Sequence, residues 1–81
     1  MTRYFFHLFE DGNLDLDEIG ILLPDASAAH REAVKGAQSM ATEERRCHRA
    51  LRGQSLVIVD EHGAHIVTVP FEMAEGRVTL H

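Results

Sequence analysis

Between residues 26 and 51, small and apolar side chains recur at the spacing of an α-helix, and this stripe constrains the fold more than any other feature. At 100° per residue, Ala29, Ala33, Ala37, Met40, Cys47 and Leu51 all fall within about 60° of Ala26. Arg31, Lys35, Gln38, Ser39, Arg45, Arg46 and Arg49 fall on the opposite side. The pattern predicts one long helix over residues 26–50, N-capped by Asp25 and closed by Gly53 at the C′ position. The arginines of its C-terminal third suit the negative end of the helix dipole. Glu44 alone breaks the apolar stripe. We read it as the point where the helix outruns its core; the alternative is a hold by His48 at i+4. An alanine face lets the helix lie close to its support but buries little area per turn. At roughly 25 cal/mol per Å², other elements must then supply most of the core.

Those elements read as strands. Residues 2–10 are rich in aromatics and alternate in character. Tyr4, Phe6 and Leu8 form a wholly apolar row, expected to face the helix, while Arg3, Phe5, His7 and Phe9 form a mixed row on the other face. Glu10-Asp11-Gly12-Asn13 reads as a turn, with Gly12 and Asn13 both tolerant of positive φ, followed by a polar connection. Ile19 to Leu23 reads as a short second strand, stopped by Pro24. Ser55 to Asp60 and Ala64 to Phe71 form a hairpin around Asp60-Glu61-His62-Gly63, with Gly63 as the left-handed residue. Residues 72–81 are weakly patterned. The expectation is an α+β fold of order β-β-α-β-β, a four-stranded and mainly antiparallel sheet with one long helix packed on one face. The other face has no second layer. Phe5, Phe9 and alternate residues of Leu56–Val59 and Ile66–Phe71 would line it, and an uncovered apolar face marks an interface.

Length and composition set bounds on function. Eighty-one residues make a single domain, with an ordered core expected over residues 2–71. The one cysteine, Cys47, excludes a disulfide within the chain and suits a reducing compartment. The formal net charge of −5 argues against a general nucleic-acid or anionic-membrane binder. The run Tyr4–Phe9 is too short for a signal-peptide core or a membrane span, so the expected location is the cytoplasm.

Few residues carry chemistry. Asp11, Asn13, Asp15 and Asp17 open like a calcium loop, but Leu16 stands where such a loop needs glycine and Leu22 where it needs glutamate, so the segment reads as a solvated acidic loop. His62 and His65 flank the second hairpin and are the weak candidates for a metal; zinc wants four donors, and no cysteine pair supports them. Cys47 and His48 are helix neighbours pointing about 100° apart, which rules out a nucleophile and its base. No catalytic residue and no cofactor is expected. The leading expectation is a non-enzymatic module that binds itself, as a homodimer, or another protein through Arg3, Phe5, His7 and Phe9. The alternatives are a regulator meeting nucleic acid or an acidic partner through the basic strip Arg45, Arg46, Arg49 and Arg52, and a small metal-binding protein.

Arg3-Tyr4-Phe5-Phe6-His7-Leu8, Asp11-Gly12, Gly20, Leu23-Pro24-Asp25, Glu32-Ala33, Asp60-Glu61-His62-Gly63 and Val69-Pro70-Phe71 together carry a resemblance. Over residues 2 to about 71 the chain resembles a family of short bacterial proteins, common in rhizobia and related alphaproteobacteria, that forms a domain of unknown function. The resemblance implies a bacterial, stand-alone domain. It carries no activity or site residue with it.

Overall fold

The computed structural model describes residues 1–46 and 53–72. Five strands and one helix follow in the order β1 (Thr2–Glu10), β2 (Asn13–Asp15), β3 (Ile21–Leu23), α1 (Ala26–Arg46), β4 (Ser55–Asp60) and β5 (His65–Pro70). The sheet runs β2-β1-β4-β5, and β3 also pairs with β1. Every pairing is antiparallel. The α+β class and the helix on a sheet are as the sequence predicts, but there is one more strand than expected. Asn13–Asp15, read as a polar connection, is β2. Asp11 and Gly12, with φ of 52° and 78°, form the two-residue turn that sets Glu10 opposite Asn13. Positive φ falls at Gly12, which tolerates it, and at Asp11 rather than at Asn13. Asp-Gly between β-forming residues is the usual signal for such a turn. The strand expected from Ile19 begins instead at Ile21, because Gly20 has a φ of 76° and turns the chain there.

β1 is thus paired on one side along most of its length by β4, from Tyr4↔Asp60 to Phe9↔Ser55. On its other side β3 covers Thr2–Tyr4 and β2 covers Leu8–Glu10. The stretch between them, residues 5–7, meets no strand on that edge among the described residues.

The Asp25 cap forms as expected: its Oδ1 accepts from the Ala28 N–H at 2.9 Å. Ala29, Ala33, Ala37 and Ala41 are fully buried, with Ala28 nearly so. The buried row steps by four residues and so ends on Ala41, while Met40, placed on the stripe by its angle, is 39% exposed, and Ala26 is exposed. α1 lies over β4 and β5 and touches β3. At Gly36 it comes so close that a Cβ would lie 3.3 Å from Leu56 Cδ1. Tyr4, Leu56, Ile58, Val69 and Phe71 complete the core, with Phe6 and Leu8 packed at its margin, so the row assigned to the helix side of β1 is correct. Glu44, Cys47, Leu51 and the tail beyond Glu72 lie outside what is described of the side chains, as does the expected end of the helix near residue 50.

A candidate interaction face

The strand register sets out the face opposite α1. Phe5 stands opposite Val59, His7 opposite Val57 and Phe9 opposite Ser55. On the far side of β4, Val57 meets Thr68 and Val59 meets His65. On the other edge of β1, Leu22 stands opposite Arg3 and Leu14 opposite Phe9. Residues paired directly across strands share a face, so these side chains form one surface with no layer above it among the described residues. The four candidates Arg3, Phe5, His7 and Phe9 run along its centre. Phe5 and His7 are stacked, their ring centroids 6.4 Å apart at an interplanar angle of 17°.

His65 and Thr68 reach this face together through a β-bulge. Ile58 pairs with Val67 and Val59 with His65, which leaves Ile66 as an extra residue on β5. Three residues apart on a regular strand, His65 and Thr68 would point to opposite sides. Here His65 Nε2 and Thr68 Oγ1 are hydrogen-bonded at 2.8 Å. His62, by contrast, lies 3.8 Å from Glu61 Oε2 on the hairpin tip. The two candidate metal histidines are thus engaged with different partners, and among the described residues no group of three or more His, Cys, Asp or Glu is arranged to hold a metal. Asp60 is also occupied. Its Oδ1 accepts from the N–H groups of Ala64 at 2.9 Å and His62 at 2.8 Å, and the Ala64 bond first among several causes holds its carboxyl below the ordinary range. Gly63 has the expected positive φ, 83°.

The segment expected to be an acidic connection carries the densest polar network of the face. Residues 16–20 cross the open edge of β1 between β2 and β3. There Asp17 Oδ2 accepts the Phe6 N–H at 3.1 Å, so a carboxylate stands in for the strand missing beside residues 5–7. The other oxygen, Oδ1, accepts from Ile19 at 3.0 Å and Gly20 at 3.1 Å. The Asp17 N–H in turn donates to His7 Nδ1 at 2.9 Å, which places the proton of the neutral imidazole on Nε2. Arg3 donates from its guanidinium to the Ile19 carbonyl at 2.8 Å, and its own N–H is capped by Glu61 Oε1 at 3.2 Å. Partial desolvation pushes the Asp17 carboxyl up. The hydrogen bonds from Ile19, Phe6 and Gly20, with the nearby His7, outweigh this and hold it below its ordinary value. Gly20 packs directly on β1: a Cβ there would lie 2.8 Å from Arg3 Cγ, 2.9 Å from the Tyr4 carbonyl oxygen and 3.0 Å from Phe5 Cε1.

Around these polar anchors the surface is apolar. Ile19 is 79% exposed, Leu16 62%, Leu22 51%, Leu14 47% and Phe9 37%. Sequence reasoning named only Phe9 of these. The alternation Leu14, Leu16, then Ile19 and Leu22 was the available signal, masked by the acidic residues between them. On the outer side of α1, Lys35 pairs with Glu32 at 3.6 Å, both well exposed. Arg45 and Arg46 fall in its last described turn, and Arg49 and Arg52 lie outside the described residues. No helix among the described residues is long and apolar enough to cross a membrane.

Compared with known protein families, residues 3–72 match the family model described as Domain of unknown function (DUF6894). That range takes in β1 to β5 almost entirely, including the 16–20 segment. Among curated proteins and among solved structures nothing matches.

Proposed function

Because the chain belongs to this family of unknown function, its role has to be read from its own surfaces, and we propose that it is a protein-interaction module that self-associates through the open face of its sheet. The observation that carries the reading is the exposure of Phe9, Leu14 and Leu22 on the open face, together with that of Leu16 and Ile19 in the segment along its edge. Together they leave on the order of 500 Å² of apolar surface in water, the size of the largest patch on an ordinary monomer. Half-buried Phe5, Val57 and Val59 adjoin it and bring the face towards the roughly 800 Å² that each partner contributes to a stable complex.

A second copy is the occupant that this surface suits. A two-fold contact places the same patch on both sides, so it must not oppose like charges. Arg3 lies beside Glu61 and the Asp17 segment, and this mixed charge suits such self-opposition. An area at the lower end of the standard range gives a reversible dimer, with dissociation in the micromolar range. Size-exclusion chromatography with light scattering from micromolar to millimolar chain is expected to show monomer passing to dimer. Leu22→Asp, at a half-exposed position, should raise the dissociation constant at least tenfold while leaving the circular dichroism unchanged. A wild-type chain that remains monomeric at millimolar concentration overturns the proposal.

A further inference from the structure

The 16–20 segment spends its polar contacts and its apolar side chains in opposite directions. Its backbone and its one half-buried carboxylate are turned inward, onto Phe6, His7 and the strand edge, and Arg3 reaches out to hold it. Its two large apolar side chains, Leu16 and Ile19, stand in water. A loop held by burial would do the reverse. Gly20, with no room for a Cβ, presses the segment onto Arg3 and Phe5, so its position on the face is set by close packing as well as by hydrogen bonds.

From this arrangement we infer that His7, Asp17 and Arg3 are positioning residues that hold Leu16 and Ile19 in place as a preformed apolar knuckle for the second copy. The inference rests on the self-association proposed above and adds to it a division of labour. The knuckle makes the contact; the three polar residues make it rigid beforehand, so that association does not have to order a loop. Loop and side-chain ordering is one of the main costs of forming an interface. The hydrogen bond of His7 to the segment is made by one atom. Nδ1 accepts the Asp17 N–H, and the rest of the ring only stacks on Phe5.

That separation gives a test in which two substitutions pull apart. His7→Asn keeps an acceptor, Oδ1, at the place of Nδ1 but removes the ring. His7→Phe keeps the ring and makes the face more apolar but removes the acceptor. Two readouts are compared with wild type: the dissociation constant by sedimentation, and amide hydrogen exchange of Asp17 in dilute, monomeric protein, with the Ile58 amide as a control for the fold. His7→Asn is expected to keep the dissociation constant within about threefold and to keep the Asp17 amide protected. His7→Phe is expected to lose that protection and to associate at least tenfold more weakly, with Ile58 still protected in both. A His7→Phe chain that associates as tightly as wild type, or tighter, overturns the inference and leaves the apolar face as the whole explanation. A wild-type chain that never associates overturns both proposals, and the two failures are thereby distinguished. If Asp17 exchanges freely in the wild type, the knuckle is not preformed and the inference also falls.

Discussion

The two margins of the sheet are built on opposite plans. At the β4–β5 margin, Leu56, Ile58, Val69 and Phe71 are buried beneath α1, which presents mainly its alanine row to them. At the β2–β3 margin each strand has three residues, large apolar side chains face solvent, and the edge of β1 is completed by a carboxylate. The first margin is held by exclusion of water and close packing. The second is held largely by directed polar contacts; Leu23 reaches the core, but the solvent-facing apolar groups contribute little to folding. Stability therefore rests mainly on one half of a very small domain and the proposed interaction on the other, and substitutions should separate them.

The largest effect belongs to the covered margin. Phe71 is 2% exposed and its N–H closes onto the Gln54 carbonyl at 3.0 Å. Truncation to alanine should cost about 3–5 kcal/mol, which would unfold much of a marginal domain at ambient temperature; urea denaturation is the check. Enlarging the helix face comes next. Ala33 is fully buried, and Ala33→Leu should cost about 1–3 kcal/mol by forcing α1 off β4 and β5. If the variant is as stable as wild type, the helix is not in close contact and the contrast between the margins weakens. Gly20→Ala is the counterpart on the other side. With a positive φ and backbone oxygen of Tyr4 within 2.9 Å of a new Cβ, it should cost about 1–3 kcal/mol. Gly63→Ala, with a similar φ and nothing within 4 Å, should cost about 1 kcal/mol. Equal effects in a melting comparison would show that residues 16–20 do not press on β1.

This contrast also explains what could be read in advance. The helix, its cap and its alanine row follow from periodicity and Asp25, because those signals are local and their physics is one-dimensional. The two faces of β1 were legible for the same reason: the wholly apolar row Tyr4, Phe6 and Leu8, against a row broken by Arg3 and His7, leaves little choice of side. β2 was not, since three exposed residues carry no hydrophobic pattern, although Asp11-Gly12 named the turn that makes it. The role of Asp17 lay beyond any pattern. A carboxylate replacing a missing strand depends on a gap at residues 5–7 that exists only once β2 and β3 have both paired with β1. His7 shows the same limit. Its place on the open face was evident, but its partner, ten residues away, is fixed by that same tertiary gap. His65 was weighed as a weak metal candidate on its spacing from His62; its contact with Thr68, set by the bulge at Ile66, was not legible in the sequence.

The smallest effect is the one most specific to the polar margin, and its pH dependence identifies the atom responsible. Asp17→Asn keeps the shape of the side chain but removes the charge that three backbone N–H groups and His7 favour. For a half-buried, partly screened group the loss at neutral pH should be about 1 kcal/mol. The sign of the pH effect follows from the depressed carboxyl. Unfolded, Asp17 takes a proton near its ordinary value of 3.8; folded, it resists until lower pH. Its contribution is thus fully present above 3.8 and is lost as the pH falls through the folded value. The wild type should therefore exceed Asp17→Asn in stability at pH 7 and at pH 5 by the same margin, and the two curves should converge only below about 3.8. Convergence at a higher pH would mean that a different group is titrating. A margin that persists into strong acid would mean that the charge of Asp17 contributes nothing, and that the loss in Asp17→Asn comes from the acceptor oxygen it replaces with an N–H donor.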